Sequence, residues 1–263
     1  MITLASDFGS PYPAAMRGVL LSHTDARLVD VAHDFPRGDV RTAAFWLART
    51  LPTFPPAVHL GVVDPGVGTD RRAIVVRAGE HALVCPDNGL SLPAARDLAD
   101  DSDEGSIEAF EIDSATEEFP GTDGSGATFD GRDVFAPAAA AVHEEGVNSL
   151  EGIAWLSATE EVEDLAFPEP EIQGERALGE VLVVDGFGTA ITNVPGEFIE
   201  ENFGEEVAVN GTRVPAERSY GFVGRGEALL TVGGHGNVEL AVNDGRGDEA
   251  FGVGVGTEIR VDR

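Results

Sequence analysis

Four short segments carry residue types that do chemistry: Ser6-Asp7-Phe8-Gly9, Asp64-Pro65-Gly66-Val67-Gly68-Thr69, Pro86-Asp87-Asn88-Gly89 and Phe129-Asp130-Gly131-Arg132-Asp133. The first three each follow a β-type apolar run, and in an α/β sheet functional groups collect just past the carboxyl ends of strands. A carboxylate there offers two acceptor oxygens and ionises near about pH 3.9, so it can hold hydroxyl groups or take a proton. Taken singly, each segment also has the composition of an ordinary turn. Three such turns in one half of a chain point to a site. The fourth segment precedes an alanine-rich helical pattern from Val134, where Asp133 reads as the N-cap and Asp130 is left without a structural task.

Other chemistries fail on their own motifs. Arg71 stands where a dinucleotide fingerprint opening on Gly66-Val67-Gly68 needs glycine, and a chain without lysine has no lysine-bearing phosphate loop. Asp123-Gly124-Ser125 opens like a calcium loop, but Ala127 and Thr128 occupy the positions of an acid and a glycine. The six histidines show no metal-ligand spacing, and His59, inside a strand, reads as a satisfied structural residue. Cys85 is the single cysteine, which excludes an internal disulfide and a cysteine-cluster metal site. The expectation is a site with no metal and no cofactor.

The elements that position these segments alternate. Ile2 to Ser6, Leu28 to Ala32, Val58 to Val63 and Ala73 to Arg77 read as strands, while Ala14 to Leu21, Val40 to Thr50 and Val134 to His143 show helical spacing. This predicts an α/β domain over residues 1–165, its sheet parallel or mixed and flanked by helices. Ile107 to Ile112 reads as a strand between two solvated acidic loops. An acidic, Pro-bearing stretch with Pro168 and Pro170 reads as a linker over 166–177. Beyond it, Val181 to Val184, Glu206 to Val209, Ala228 to Val232, Val238 to Val242 and Glu258 to Val261 predict a smaller all-β, barrel-like domain over 178–263. Phe45 and Trp46, on a helix beside Ala44 and Leu47, read as core.

Composition narrows the partners. The chain has 263 residues, 42% of them hydrophobic, and a formal charge of −30 in which all 17 cations are arginine. Such a charge repels phosphate backbones and anionic lipid, so neither nucleic acid nor a membrane is an expected partner. The hydrophobic share argues for a folded chain, and the surplus of carboxylates for life in high salt, which screens their repulsion. No apolar run approaches the ~20 residues of a membrane span, and the first residues lack the basic flank of a signal peptide, which predicts a cytoplasmic protein.

In this order, and together with Asp185-Gly186-Phe187-Gly188-Thr189-Ala190-Ile191-Thr192-Asn193 and Glu239-Leu240-Ala241-Val242-Asn243, these segments resemble the S-adenosylmethionine (SAM) hydroxide adenosyltransferase family, relatives of the fluorinase and chlorinase. The likeness spans nearly the whole chain and is most specific from Val63 to Arg71. It implies an α/β domain followed by a β-barrel, assembled as a homotrimer with active sites at subunit interfaces. The implied reaction is attack of water on the 5′ carbon of SAM, releasing adenosine and methionine. A sulfonium leaves as a neutral thioether, so the chemistry needs an oriented water, a ribose clamp and a proton acceptor.

By that resemblance Asp7 clamps the ribose hydroxyls, and Asp64 and Arg71 match two members of a water-activating Asp-Arg-His set. Halide-using relatives lack this Asp and Arg, so the pair favours water over chloride. Asp130 stands where the family has His; the ordinary pKa values differ by about 2.6 units, so either Asp64 is the base and Asp130 orients, or activity is impaired. Phe8, Asn88, Phe187, Thr189, Asn193, Asn243 and Asp244 are the implied substrate contacts. Gly38 replaces an aromatic ring against adenine, Thr189 an Asn, and Gly234-His235 a serine-containing pair. These departures keep two alternatives open: a hydrolase of a related 5′-substituted adenosine, and a nucleoside-binding protein without catalysis. A halogenase ranks last.

Overall fold

The computed structural model describes residues 1–100, 106–121 and 128–263. Two compact units result, Met1–Ala166 and Phe167–Arg263. The Asp123-Gly124-Ser125 stretch lies outside the described residues.

In the first unit the elements are β1 (Ile2–Ser6), α1 (Tyr12–His23), β2 (Leu28–Ala32), α2 (Val40–Thr50), β3 (Val58–Val62), β4 (Ala73–Ala78), β5 (His81–Pro86), α3 (Leu92–Asp100), β6 (Ile107–Ile112), α4 (Ala136–Glu145) and β7 (Leu156–Thr159). They form a seven-stranded sheet in the order β2-β1-β3-β5-β4-β6-β7. The β2-β1-β3-β5 half is parallel: α1 and α2 carry the chain back between β1, β2 and β3, and β4 returns it so that β5 runs beside β3 in the same direction. The other half is antiparallel, since β4 and β5 are joined only by the turn at Gly79, whose φ of 55° suits glycine.

Alternation along the strands builds two faces. Ile2 and Leu4 pack with Met16 and Leu20 of α1 and with Ala139 and Val142 of α4. Thr3 and Ala5 point the other way, toward Leu47 and Leu51. Asp39 caps α2 by accepting from the Thr42 N–H at 3.0 Å, and Phe45 is core as expected.

One expectation is corrected. Gly131–Phe135 form a single π-helical turn that runs into α4, and Asp133 caps nothing. Its carboxylate lies against the Arg132 guanidinium, with both bonds at 2.7 Å.

The second unit contains β8 (Glu171–Gln173), β9 (Arg176–Val184), β10 (Ala190–Pro195), α5 (Glu197–Glu200), β11 (Glu205–Val209), β12 (Thr212–Ala216), β13 (Ala228–Val232), β14 (Asn237–Val242), α6 (Gly247–Phe251) and β15 (Glu258–Asp262). Seven of its strands close into a barrel, β9-β10-β14-β13-β12-β11-β15 and back to β9, while β8 adds to the side of β9. Ala177, Val181, Val207, Val209, Leu230, Leu240 and Val261 fill the interior, one face of each alternating strand. Closure removes the exposed strand edges that an open sheet would present. No helix among the described residues is long and apolar enough to cross a membrane.

Candidate active site

The parallel half of the first sheet brings three of the sequence segments to one edge. Ser6 pairs with Val62 and Leu60 with Val84, so β1, β3 and β5 end side by side and release Asp7, Asp64 and Asp87 at their carboxyl ends. Their tasks differ. Asp87 is buried and already engaged, accepting from Arg72 Nη2 at 2.6 Å and from the Glu163 N–H at 2.8 Å. Asn88 donates to the Val63 carbonyl at 2.9 Å, bracing the backbone immediately before Asp64.

Asp64 lies at the centre of a three-residue set. Arg71 donates to it twice, Nη2 to Oδ2 at 2.5 Å and Nε to Oδ1 at 3.2 Å, and the Gly66 N–H adds a third bond at 3.1 Å. The same Nη2 reaches Asp130 Oδ2 at 3.0 Å. The Arg71 guanidinium sits over the Phe135 ring, 5.2 Å from its centroid, which fixes the plane of the fork. The side chains of Asp64, Arg71 and Asp130 are 4%, 10% and 17% exposed, so two carboxylates share one guanidinium with little water around them. Burial pushes the Asp64 carboxyl above its ordinary range; Arg71 pulls it down and the Asp130 charge lifts it further.

The π turn sets Asp130. A Cβ on Gly131 would come within 2.9 Å of the Phe129 ring, 3.0 Å of Met16 Sδ and 3.1 Å of the Phe8 ring, so only glycine lets the turn approach α1 this closely. Phe129, one residue before Asp130, meets the Phe8 and Tyr12 rings edge to face, both at 5.4 Å between centroids.

Beside this set opens a cavity of about 670 Å³ lined by Asp7, Phe8, Tyr12, Gly38, Asp64 and Phe129 among others. That volume lies within the range of small-molecule sites. Asp7 is oriented across it by the Gly38 N–H, which donates to Oδ2 at 2.6 Å from a left-handed φ of 70°. Acceptors for hydroxyl groups and a carboxylate of raised pKa thus face one space.

The remaining sequence candidates lie in the second unit. Phe187 is 83% exposed, at the tip of a turn in which Asp185 Oδ1 accepts from the N–H groups of Phe187 and Thr189 at 2.9 and 2.8 Å. Asn193 ties strands together, accepting from the Glu180 N–H and donating to the Pro168 carbonyl, both at 2.8 Å. Asn243 donates to the Val223 carbonyl at 2.8 Å, and Asp244, at φ 61°, pairs with Arg225. Sequence reasoning missed Tyr12 and Arg37 as cavity lining, since nothing local marks them. It also missed a polar cluster in which buried Glu239 accepts from Tyr220 Oη at 2.8 Å and faces His235 Nε2 at 3.1 Å. Burial, with Glu239 beside it, raises the Tyr220 hydroxyl to about 12.

A parallel-edge carboxylate, an arginine fork and a small-molecule cavity in an α/β unit, followed by a closed barrel, define a class. The model of the SAM hydroxide adenosyltransferase N-terminal domain matches residues 2–153 and that of the C-terminal domain residues 179–260, so the chain belongs to this family. It is 40% identical to a relative from Salinispora tropica over 99% of this chain and 97% of that protein, and 40% identical to one from Thermus thermophilus over 97% of each. Both relatives are named (R)-S-adenosyl-L-methionine hydrolase. Among solved structures, an uncharacterized conserved protein from Thermotoga maritima matches over 100% of both chains with a TM-score of 0.84 at 31% identity.

Proposed function

We propose that this chain is a SAM hydrolase that forms adenosine and L-methionine by in-line attack of water on C5′. The observation that carries the reading is the buried Asp64–Arg71–Asp130 set at the wall of the cavity. Water held at Asp64 forms the O–C5′ bond as the C5′–S bond breaks. The bonding pair leaves on sulfur, which becomes a neutral thioether, and the water proton passes to Asp64. Desolvation that raises the Asp64 pKa makes it the better base, while Arg71 holds both it and Asp130. Asp130 therefore orients rather than replaces a histidine base.

The set carries two negative charges against one positive, so an anion such as chloride meets net repulsion where neutral water does not. Asp7 takes the ribose hydroxyls, Phe8 lines the nucleoside cavity, and Asn88 steadies the Asp64 strand end from behind. Because the leaving group is neutral, this displacement proceeds without a cofactor or a general acid. The same reading makes the protein a cytoplasmic homotrimer, which sedimentation in molar salt checks.

The direct test is incubation with SAM in oxygen-18 water and molar chloride, followed by mass analysis. Adenosine labelled once at the 5′ oxygen, with an equal amount of methionine, is the expected product. Chloroadenosine as the main product, or intact SAM with adenosine bound, would overturn the reading.

A further inference from the structure

One connected group of polar and ionisable side chains takes no part in the chemistry above. It runs across α1, β2 and β1. Ser6 Oγ lies 2.7 Å from His33 Nδ1, and His33 Nε2 lies 3.0 Å from Asp30 Oδ1. Arg17 grips Asp30 with both Nε, at 3.0 Å, and Nη2. A carboxylate can only accept, so Nε2 donates to Asp30 and Nδ1 is left facing the Ser6 hydroxyl.

Serine, histidine and aspartate in hydrogen-bonded series suggest a nucleophile, but geometry denies that role. Ser6 is 0% exposed and does not line the cavity, so no substrate carbon can reach its oxygen. What Ser6 does touch is the chain on either side of Asp7. The His33 ring holds Ser6, immediately before Asp7, and the His33 carbonyl accepts from the Gly9 N–H at 2.8 Å, just beyond Phe8. One residue therefore holds both ends of the segment that presents Asp7 and Phe8 to the cavity. The Arg17–Asp30 pair in turn fixes the ring that does so.

We propose that His33 is a positioning residue for Asp7, acting through Ser6 and Gly9, with Asp30 and Arg17 locking its ring. The inference rests on the reading that Asp7 holds the ribose hydroxyls. It identifies a set of side chains outside the cavity that determines how well vicinal hydroxyls are recognised.

The test uses the full chain and two ligands that differ only at the ribose, adenosine and 2′,3′-dideoxyadenosine, with affinities from calorimetry. Wild type is expected to prefer adenosine. Ser6→Ala, which removes the held hydroxyl, and His33→Gln, whose amide reaches toward Asp30 but not Ser6, should each weaken adenosine about three- to ten-fold, the worth of one misplaced hydrogen bond. Dideoxyadenosine should stay within about twofold of its wild-type affinity. Ser6→Thr, which keeps the hydroxyl, should restore adenosine binding, and Ser6→Ala should add nothing in an Asp7→Ala background. Equal weakening of both ligands would mean a merely structural role, and an unchanged preference in folded variants would mean none; either overturns the inference alone. A wild type that does not distinguish the two nucleosides would overturn the assignment of Asp7 itself, and this inference with it.

Discussion

Replacing Asp64 with Asn keeps the side chain's shape and removes the proton acceptor and one charge. Three hydrogen bonds converge on the carboxylate, two from Arg71 and one from the Gly66 N–H. The amide oxygen can still accept from one side, but its NH₂ group faces the guanidinium in place of the second acceptor. Loss of a general base lowers rates about 10²- to 10⁴-fold, equivalent to ~2.7–5.5 kcal/mol of barrier. Adenosine affinity should move far less, since in the proposed reaction Asp64 addresses the water. Stability has its own sign. The folded pKa of Asp64 is raised by burial, so its contribution is favourable below the unfolded pKa and is lost as pH rises through the folded one. The Asn variant should lose this pH dependence of stability. Adenosine release measured from pH 4 to 9 should show a wild-type rate that falls on the acid side as Asp64 takes a proton, with the limb lying above the ordinary carboxylate value. Asp64→Asn should lose both the rate and the limb. A variant within tenfold of wild type, or one retaining the limb, would refute Asp64 as base; loss of the limb in Asp130→Asn instead would transfer the role to Asp130.

Asp130→His removes a negative charge that helps raise the Asp64 pKa, so the acid limb of the rate profile should shift to lower pH. Gly131→Ala forces a methyl group against Phe129, Met16 and Phe8 and should cost about 1–3 kcal/mol in urea unfolding, with a parallel loss of rate. With a net charge of −30, the melting temperature should climb between 0.1 and 1 M KCl, over which the screening length falls from about 10 to about 3 Å; a flat response would remove the self-repulsion argument. Burial, then the neighbouring His81, holds His59 down at about 3. Its unfolded value is near about 6.5, so the stability from its neutral ring is complete above that pH and is lost as pH falls toward about 3, by at most ~1.4 kcal/mol per unit. His59→Gln should flatten that part of the urea profile.

Much of the fold was legible because burial on a sheet face imposes a period of two. β1, β2, β6 and β13 have the bounds their apolar runs predict, as does α2 with its Asp39 cap. β12 escaped notice because Pro215 interrupts it, although its position opposite Glu206 is tolerated in the barrel wall. β10 was hidden by its polar Thr192 and Asn193, both of which are satisfied inside the barrel unit. At the site, Asp64 and Arg71 stand close together in one turn-rich stretch, and the family resemblance, not a local pattern, is what joins them in the sequence. Asp130 joins them from 59 positions beyond Arg71, through a π turn whose geometry depends on the packing of Gly131 against α1. No local periodicity encodes that. Tyr12 and Arg37 reach the cavity for the same non-local reason.

The closure of the barrel has a consequence for the order in which the chain acquires structure. β9, which opens the ring, pairs through its first half with β15, the ring's final strand in sequence, from Arg176 opposite Asp262 to Glu180 opposite Glu258. During synthesis β9 emerges from the ribosome well before its neighbour exists, and the pairing that completes the wall must wait for β15 to clear the exit tunnel. The first unit, whose sheet ends at β7, faces no such delay. The α/β unit can thus be completed while the barrel closes only later, as expected for pairings of long sequence separation.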